Sequence, residues 1–237
     1  MQTNKRKKLH NKNMTETEPV VFILAGGKGS RMRSSTKSLI KIDPKNPDVL
    51  ERNSLGRILS QIQSNGISKV VIFGGRNKAV IEEFIAEHGE KLSLKVSVEP
   101  DIKKDVWKGI YKKMHESLNP SQQALILNGD VVYKSSTIER TIKRAKRKIK
   151  FGTVYGRQVS RKGQKKLVFG WNAIIANREG LKRMAEGPNK PIGHLPHFKW
   201  SFWRGNAKLG KNFINLNRKP DIAKAKNLLR KKRWKAK

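Results

Sequence analysis

The residues best suited to chemistry lie in Gly26-Gly27-Lys28-Gly29-Ser30-Arg31-Met32, with Lys37 close behind. Glycines let backbone N–H groups approach an anion, arginine offers a planar fork to phosphate oxygens, and lysine adds a mobile point charge. Together they describe a phosphate cradle: Gly26, Gly27 and Gly29 give backbone approach, and Arg31 and Lys37 neutralise charge. The alternative is a tight turn without a ligand. Two common phosphate loops are excluded by register. A Walker A loop needs G-x-x-x-x-G-K-[ST], which the segment does not contain, and a dinucleotide fingerprint needs a third glycine where Met32 stands.

A second chemical residue, Asp130, follows Ala124-Leu125-Ile126-Leu127 and Asn128-Gly129. A strand of that composition delivers the carboxylate to the C-terminal edge of a sheet, where open α/β folds bind ligands, and Gly129 leaves room beside it. Facing a triphosphate, a carboxylate is a natural Mg²⁺ ligand, the ion's other positions going to phosphate oxygens and water. The competing assignment is a turn or capping aspartate ahead of Ser135.

Positioning these groups requires a sheet. Val20–Ala25 is apolar throughout and predicts a buried strand running into the cradle. Pro44 and Pro47 mark a loop, after which Asn53 or Ser54 caps a helix carrying Leu55, Ile58, Leu59 and Ile62, stopped by Gly66. Strands are predicted at Lys69–Phe73, Leu94–Val98 and Ala124–Leu127, with helices at Lys78–His88 and Lys104–Leu118. This alternation predicts an α/β fold of three layers, α/β/α, around a mostly parallel, Rossmann-like mixed sheet. Further on come a basic helix (Ser135–Lys148), strands at Phe151–Tyr155 and Leu167–Ala176, and a helix from about Arg178 to Glu186. A long loop (Pro188–Asn212), a short strand (Phe213–Leu216) and a terminal helix capped by Asn217 complete the chain.

Composition limits the classes of function. The chain has no cysteine, which excludes disulfides, thiolate metal sites and a cysteine nucleophile. No apolar run approaches the ~20 residues of a membrane span, and Met1–Met14 is polar and basic without the apolar core of a secretory signal. A soluble, cytoplasmic protein is expected. The formal net charge is +36, and from residue 140 onward 30 basic residues face 3 acidic ones. Such a half suggests a polyanionic partner (nucleic acid, an anionic polymer or a phosphorylated substrate) or a solvated basic surface.

Leu24-Ala25-Gly26-Gly27-Lys28-Gly29-Ser30-Arg31-Met32, continued by Lys37-Ser38-Leu39, resembles the opening signature of the sugar-phosphate nucleotidyltransferase superfamily. That group includes phosphocholine-type cytidylyltransferases and molybdenum-cofactor guanylyltransferases. Leu127-Asn128-Gly129-Asp130 is similar to its metal-binding aspartate segment. Phe213-Ile214-Asn215-Leu216-Asn217, with Asp221-Ile222, is similar to the strand and capped helix that close its members.

The likeness spans about residues 19–230 and implies the nucleotide-diphospho-sugar transferase fold. It also implies a reaction, in which an acceptor phosphate oxygen attacks the α-phosphorus of an NTP in line and pyrophosphate leaves. Leu24, Ala25, Gly26, Gly27, Gly29, Ser30, Arg31 and Gly129 are then the nucleotide-binding residues. Arg31 and Lys37 are catalytic, and Asp130 with Asn215 holds Mg²⁺. On this basis residues 1–18 are a disordered basic tail, 19–150 an NTP-binding half, 151–230 an acceptor-binding half and 231–237 a basic tail. The acceptor is small and phosphorylated, a sugar 1-phosphate or a phosphocholine-like alcohol.

The sequence departs from the family pattern in two places. Thr36 stands where proline usually precedes the lysine, and Pro100-Asp101-Ile102-Lys103-Lys104-Asp105-Val106-Trp107-Lys108-Gly109 replaces a Gly-Thr-Ala type loop that touches base and sugar. The base is therefore not carried over. Trp107 suits either base stacking or the core. His194 and His197 lack further ligands for a metal site. Trp200, Phe202, Trp203 and Arg204 suit stacking of a base, a sugar or single-stranded nucleic acid, or else a lid over the core. Lys162, Lys165 and Lys166 are candidates to reach the acceptor phosphate. The alternative function is a protein of this fold that has lost the chemistry and binds nucleic acid or another polyanion through its basic half, with affinity falling steeply with salt.

Overall fold

Val20–Leu24 (β1) is apolar at every position because both of its faces are covered: Val21 and Ile23 join one buried cluster, Val20 and Phe22 another. A computed structural model of the chain describes residues 17–27, 36–147, 152–160, 167–190, 199–200, 213–217 and 219–230, with the backbone alone at 152–160, 167–172 and 199–200. After β1 come α1 (Ser54–Ser64), β2 (Lys69–Phe73), α2 (Lys78–His88), β3 (Lys95–Glu99), α3 (Val106–Glu116) and β4 (Gln123–Asn128). The second half contributes β5 (Val131–Tyr133), α4 (Ser135–Ala145), β6 (Gly152–Ser160), β7 (Leu167–Asn177), α5 (Arg178–Glu186), β8 (Lys199–Trp200), β9 (Phe213–Asn215) and α6 (Lys219–Leu229).

One seven-stranded sheet has the order β3-β2-β1-β4-β7-β6-β8. The strands β3, β2, β1 and β4 are parallel, β7 runs antiparallel to both β4 and β6, and β8 is parallel to β6. Helices cover both faces. Leu55, Ile58, Leu59 and Ile62 of α1, Ile81 and Phe84 of α2, and Ile138 and Ile142 of α4 pack on one. Ile110, Tyr111 and Met114 of α3 and Leu181 and Met184 of α5 pack on the other. The expected three-layer α/β/α fold with a mostly parallel mixed sheet is therefore present. Asn53, not Ser54, caps α1, its Oδ1 accepting the Gly56 N–H at 2.8 Å.

The differences from expectation lie mainly in the second half. β5 was not anticipated, since three apolar residues are too few to show a period. It pairs antiparallel with β9, Val131 opposite Asn215, and this small sheet is packed by Ala225 and Leu229 of α6. The expected long loop contains the two-residue β8. β3 lies one residue later than predicted, and β6 continues to Ser160 through a bulge between Tyr155 and Gly156. Asn217 does not act as the expected side-chain cap: its backbone N–H donates to Asp221 Oδ2 at 3.2 Å, and its side chain serves Lys37 instead. Among the described residues no helix is long and apolar enough to cross a membrane.

Candidate active site

The chain visits β2 and β3 on one side of β1 and then returns to β4 on the other, so the strand order reverses between β1 and β4. At such a point the connections leave the sheet in opposite directions and open a crevice outside the C-terminal strand ends. The backbone after β1 enters that crevice and is held from both sides. Ala25 N–H donates to Phe73 O at 3.0 Å, and Gly129 N–H donates to Leu24 O at 2.9 Å. Asn77 Nδ2 donates to Ala25 O at 3.3 Å and to Gly27 O at 3.4 Å. Gly26 and Gly75 cross in backbone contact: a Cβ on Gly26 would lie 3.1 Å from Gly75 N, and Gly75 has a φ of +52°. Gly129 is needed for packing, since a Cβ there would meet Ala25 Cβ at 3.1 Å.

The crevice is a cleft of about 290 Å³. Leu24, Ala25, Gly26, Gly27, Lys37 and Asp130 line it at the β1–β4 side. Phe73, Gly75, Pro100, Asp101, Trp107 and Ile110 line the β2–β3 side. Lys37 follows Thr36 into a short 3₁₀ turn, Lys37–Leu39, which directs its ammonium across the gap. Its Nζ lies 3.6 Å from Asp130 Oδ2 and donates to Asn217 Oδ1 at 3.3 Å. Behind them the fully buried Ser54 hydroxyl is 3.0 Å from Ser38 O and 2.7 Å from Gly129 O, joining the lysine turn to the aspartate turn.

Electrostatics follow from burial. Desolvation pushes the Asp130 carboxyl above its ordinary range, and the Lys37 charge pulls it part of the way back. Burial likewise raises the Tyr133 phenol, which accepts the Asn128 N–H at 3.3 Å beneath the aspartate turn. A hard cation such as Mg²⁺ takes oxygen donors, with few from protein and the rest from phosphate and water. Two observations fit that demand: the Asp130 carboxylate lines the cleft, and Asn215 Oδ1, opposite Val131 in the small sheet, is buried without a hydrogen bond. No cluster of three or more His, Cys, Asp or Glu occurs among the described residues, and at the β1–β4 side Asp130 is the one carboxylate among the described lining residues.

Of the residues singled out from the sequence, the fold brings Leu24, Ala25, Gly26, Gly27, Lys37 and Asp130 to one cleft. Gly129 and Asn215 support that cleft from behind and from the small sheet without lining it. Gly29, Ser30 and Arg31 lie outside the described residues, as do His194, His197, Phe202, Trp203, Arg204, Lys162, Lys165, Lys166 and the Trp200 side chain. Trp107 packs against the core, its ring stacked on Tyr111 at 6.1 Å, and also lines the cleft.

Sequence reasoning missed Ser54, Asn77, Asn189 and Asn217 as supporting residues. Only Asn217 carried a signal, its place at the end of the last strand. Asn189 Oδ1 accepts from the Trp107 and Lys108 N–H groups at 3.0 and 3.4 Å, a contact between distant segments that no local pattern encodes.

The fold is shared with solved enzymes. One structure, described as a glucose-1-phosphate thymidylyltransferase of Bacillus anthracis in complex with a sucrose, superposes with a TM-score of 0.63 at 14% identity, covering 92% of this chain and 97% of that one. HddC from Yersinia pseudotuberculosis, complexed with GMP-PN, gives 0.57 at 17% identity over 88% of this chain and 98% of its own. No curated protein sequence matches the chain. The model of the MobA-like NTP transferase domain matches residues 21–201. Since that is well over half of the sequence, the chain belongs to the MobA-like NTP transferase domain family and is a nucleotidyltransferase.

Proposed function

We propose that this nucleotidyltransferase moves a nucleotidyl group from an NTP to a small phosphorylated acceptor, a sugar 1-phosphate or a phosphocholine-like group, with release of pyrophosphate and with Mg²⁺ as cofactor. The observation that carries the proposal is the pairing of Lys37 with Asp130 across the β1–β4 reversal, at one side of a cleft whose other side is mostly apolar. An opposite-charge pair beside a glycine-lined turn suits phosphate chemistry better than simple adhesion to a polyanion. The names of the structural neighbours, a glucose-1-phosphate thymidylyltransferase and a protein complexed with GMP-PN, support sugar-phosphate acceptors and nucleotide donors.

The nucleophile of such a reaction is already an anionic phosphate oxygen, so the chain needs no general base. Its residues instead bind and orient. The backbone at Gly26 and Gly27 approaches the phosphates, and Lys37 swings from Asp130 to a phosphate oxygen as charge develops on it. Arg31 supplies the second cation. Asp130 and Asn215 would hold Mg²⁺, which when bound supplies charge neutralisation to the phosphates. Residues 19–150 bind the NTP and 151–230 the acceptor, and a cytoplasmic location belongs to the same proposal. The test is pyrophosphate release by the full chain with each of the four NTPs against a panel of phosphorylated acceptors. Release with one acceptor class is expected, and silence from folded protein with every pair would end the proposal.

A further inference from the structure

The excess of positive charge in the second half of the chain takes a defined shape on α4. The buried side of this helix is Ile138, Thr141, Ile142 and Ala145. At about 100° per residue, Arg140, Lys143 and Arg144 fall together on the opposite side, and all three are exposed. Arg147, whose N–H donates to Arg144 O at 3.1 Å, carries the row past the helix end and is exposed too. The spacing i, i+3, i+4, i+7 is that of one continuous face. Glu139, the one acidic residue of the helix, lies on its flank.

The other helices treat their cations differently. Lys78 is matched by Glu82 on α2, Lys112 by Glu116 on α3, and Lys182 by Glu186 and Arg183 by Glu179 on α5, each one turn away. Such matching is an ordinary solvated surface. On α4, Lys143, Arg144 and Arg147 have no acidic partner among the described residues. Like charges at this spacing repel and destabilise the helix that bears them, a cost that an anionic partner reverses.

The row is separate from the cleft. α4 starts at Ser135, shortly after Asp130, and runs back along the sheet. Beyond its end the Arg147 carbonyl accepts from Gln123 Nε2, at the first residue of β4. Gln123 is at the opposite end of that strand from Asn128, which lines the cleft. The cations therefore reach the far edge of the sheet.

The make-up of the face selects the anion. It holds no aromatic side chain, so unpaired bases find no platform on which to stack. The apolar side of α4 is buried in the core, which leaves nothing to enter a bilayer. The exposed large apolar residues among the described ones, Val80 and Val106, lie on α2 and α3. Arginine forks fit phosphate oxygens, and neighbours in the row stand about 5–6 Å apart at Cβ. A DNA duplex presents its phosphates in regular lines on the outside. RNA is told from DNA by a 2′-hydroxyl that both donates and accepts, whereas a row of pure donors meets phosphates alone.

We propose that the outward face of α4 binds the phosphate backbone of duplex DNA without reading its sequence. The inference goes beyond the nucleotide reading of the cleft and does not rest on it.

The test is fluorescence anisotropy of the full chain with a labelled, mixed-sequence DNA duplex over a range of salt, for the wild type and two triple variants that remove equal charge. In Lys143→Gln/Arg144→Gln/Arg147→Gln the slope of log affinity against log salt should fall by about three, one for each phosphate contact, and the thermal unfolding midpoint should not be lowered. In Lys112→Gln/Lys182→Gln/Arg183→Gln the slope should stay within about one of the wild type. Equal falls in both triples would reduce the binding to net charge and overturn the proposal. So would absence of duplex binding by the wild type, or a preference for single-stranded DNA, an RNA duplex or phosphatidylserine vesicles over the DNA duplex.

Discussion

Asn189 caps a helix to which it does not belong. Its Oδ1 accepts the Trp107 N–H at 3.0 Å across a sequence separation of 82, while its Nδ2 donates to Asp105 Oδ1 at 3.2 Å. Asp105, the position from which α3 would ordinarily cap itself, makes no side-chain cap and has a φ of +46°, the one positive value outside glycine among the described residues. The Tyr111 hydroxyl adds a second tie, donating to Lys190 O at 3.0 Å. The segment after α5 thus fixes the start of α3, and with it the Val106–Trp107 wall of the cleft.

Asn189→Ala should lower stability by about 1 kcal/mol, the usual worth of an N-cap, read as a reduced midpoint in chemical denaturation. It should also weaken NTP binding severalfold, because Trp107 loses its anchor. Unchanged NTP affinity in a destabilised variant would show that the tie serves the fold alone.

Ser54 carries a different prediction. Its one hydroxyl proton lies between Ser38 O and Gly129 O, both within hydrogen-bond range in a fully buried setting. Ser54→Ala leaves both carbonyls without it and should cost roughly 1–3 kcal/mol. Because those carbonyls belong to the turns bearing Lys37 and Asp130, turnover should fall further than stability alone predicts at temperatures where the variant is fully folded. Ser54→Thr, which keeps the hydroxyl, tests whether the bond rather than the volume matters; restored turnover is expected.

The parts of this site that could be read in the sequence are those whose physics is local. β1 and β4 are apolar runs of strand length ending in Gly26 and Asp130, so the strands, the glycine turn after β1 and the aspartate after β4 were visible together. β2 and α2 fell on their predicted limits because Gly74-Gly75 separates two strong periodic patterns. What stayed hidden depends on tertiary contact. The β5–β9 pairing joins two three-residue strands far apart in sequence, the Asn217–Lys37 bond spans 180 positions, and the Asn189 cap crosses between α5 and α3. Asp101 was in view as part of an altered loop, but its place in the lining of the same cleft as Asp130 required the strand order.

For Asp130 the pH dependence has a definite sign. Burial raises its pKa in the folded state, so ionisation opposes folding. Its stabilising contribution is complete below the ordinary carboxylate pKa and is lost as pH rises through the raised value. In chelator, Asp130→Asn should therefore melt higher than the wild type at neutral pH, and the difference should vanish in acid. A difference that grows in acid would mean that attraction to Lys37 outweighs burial. With Mg²⁺ present the same variant should release no pyrophosphate, and in the wild type EDTA should abolish release until Mg²⁺ is restored.

Lys37 is the remaining test of the chemistry, because its ammonium bears on both stability and rate and the two are read separately. In the free protein its ammonium only balances the buried Asp130 carboxylate and bonds to Asn217 Oδ1. Removing it as Lys37→Met raises the Asp130 pKa further, since the Lys37 charge is the largest influence holding it down. The loss of stability should accordingly be small in mild acid and larger at neutral pH. In the proposed reaction the same ammonium faces developing phosphate charge, and loss of one such donor should cost on the order of 100-fold in kcat. Lys37→Arg should not restore the rate, because a planar fork cannot occupy the place of a compact ammonium between Asp130 and Asn217. Stopped assays of pyrophosphate release with saturating NTP measure the effect directly. A Lys37→Met enzyme within a few-fold of wild-type kcat would remove the lysine from the catalytic step and leave it as the partner of a buried aspartate.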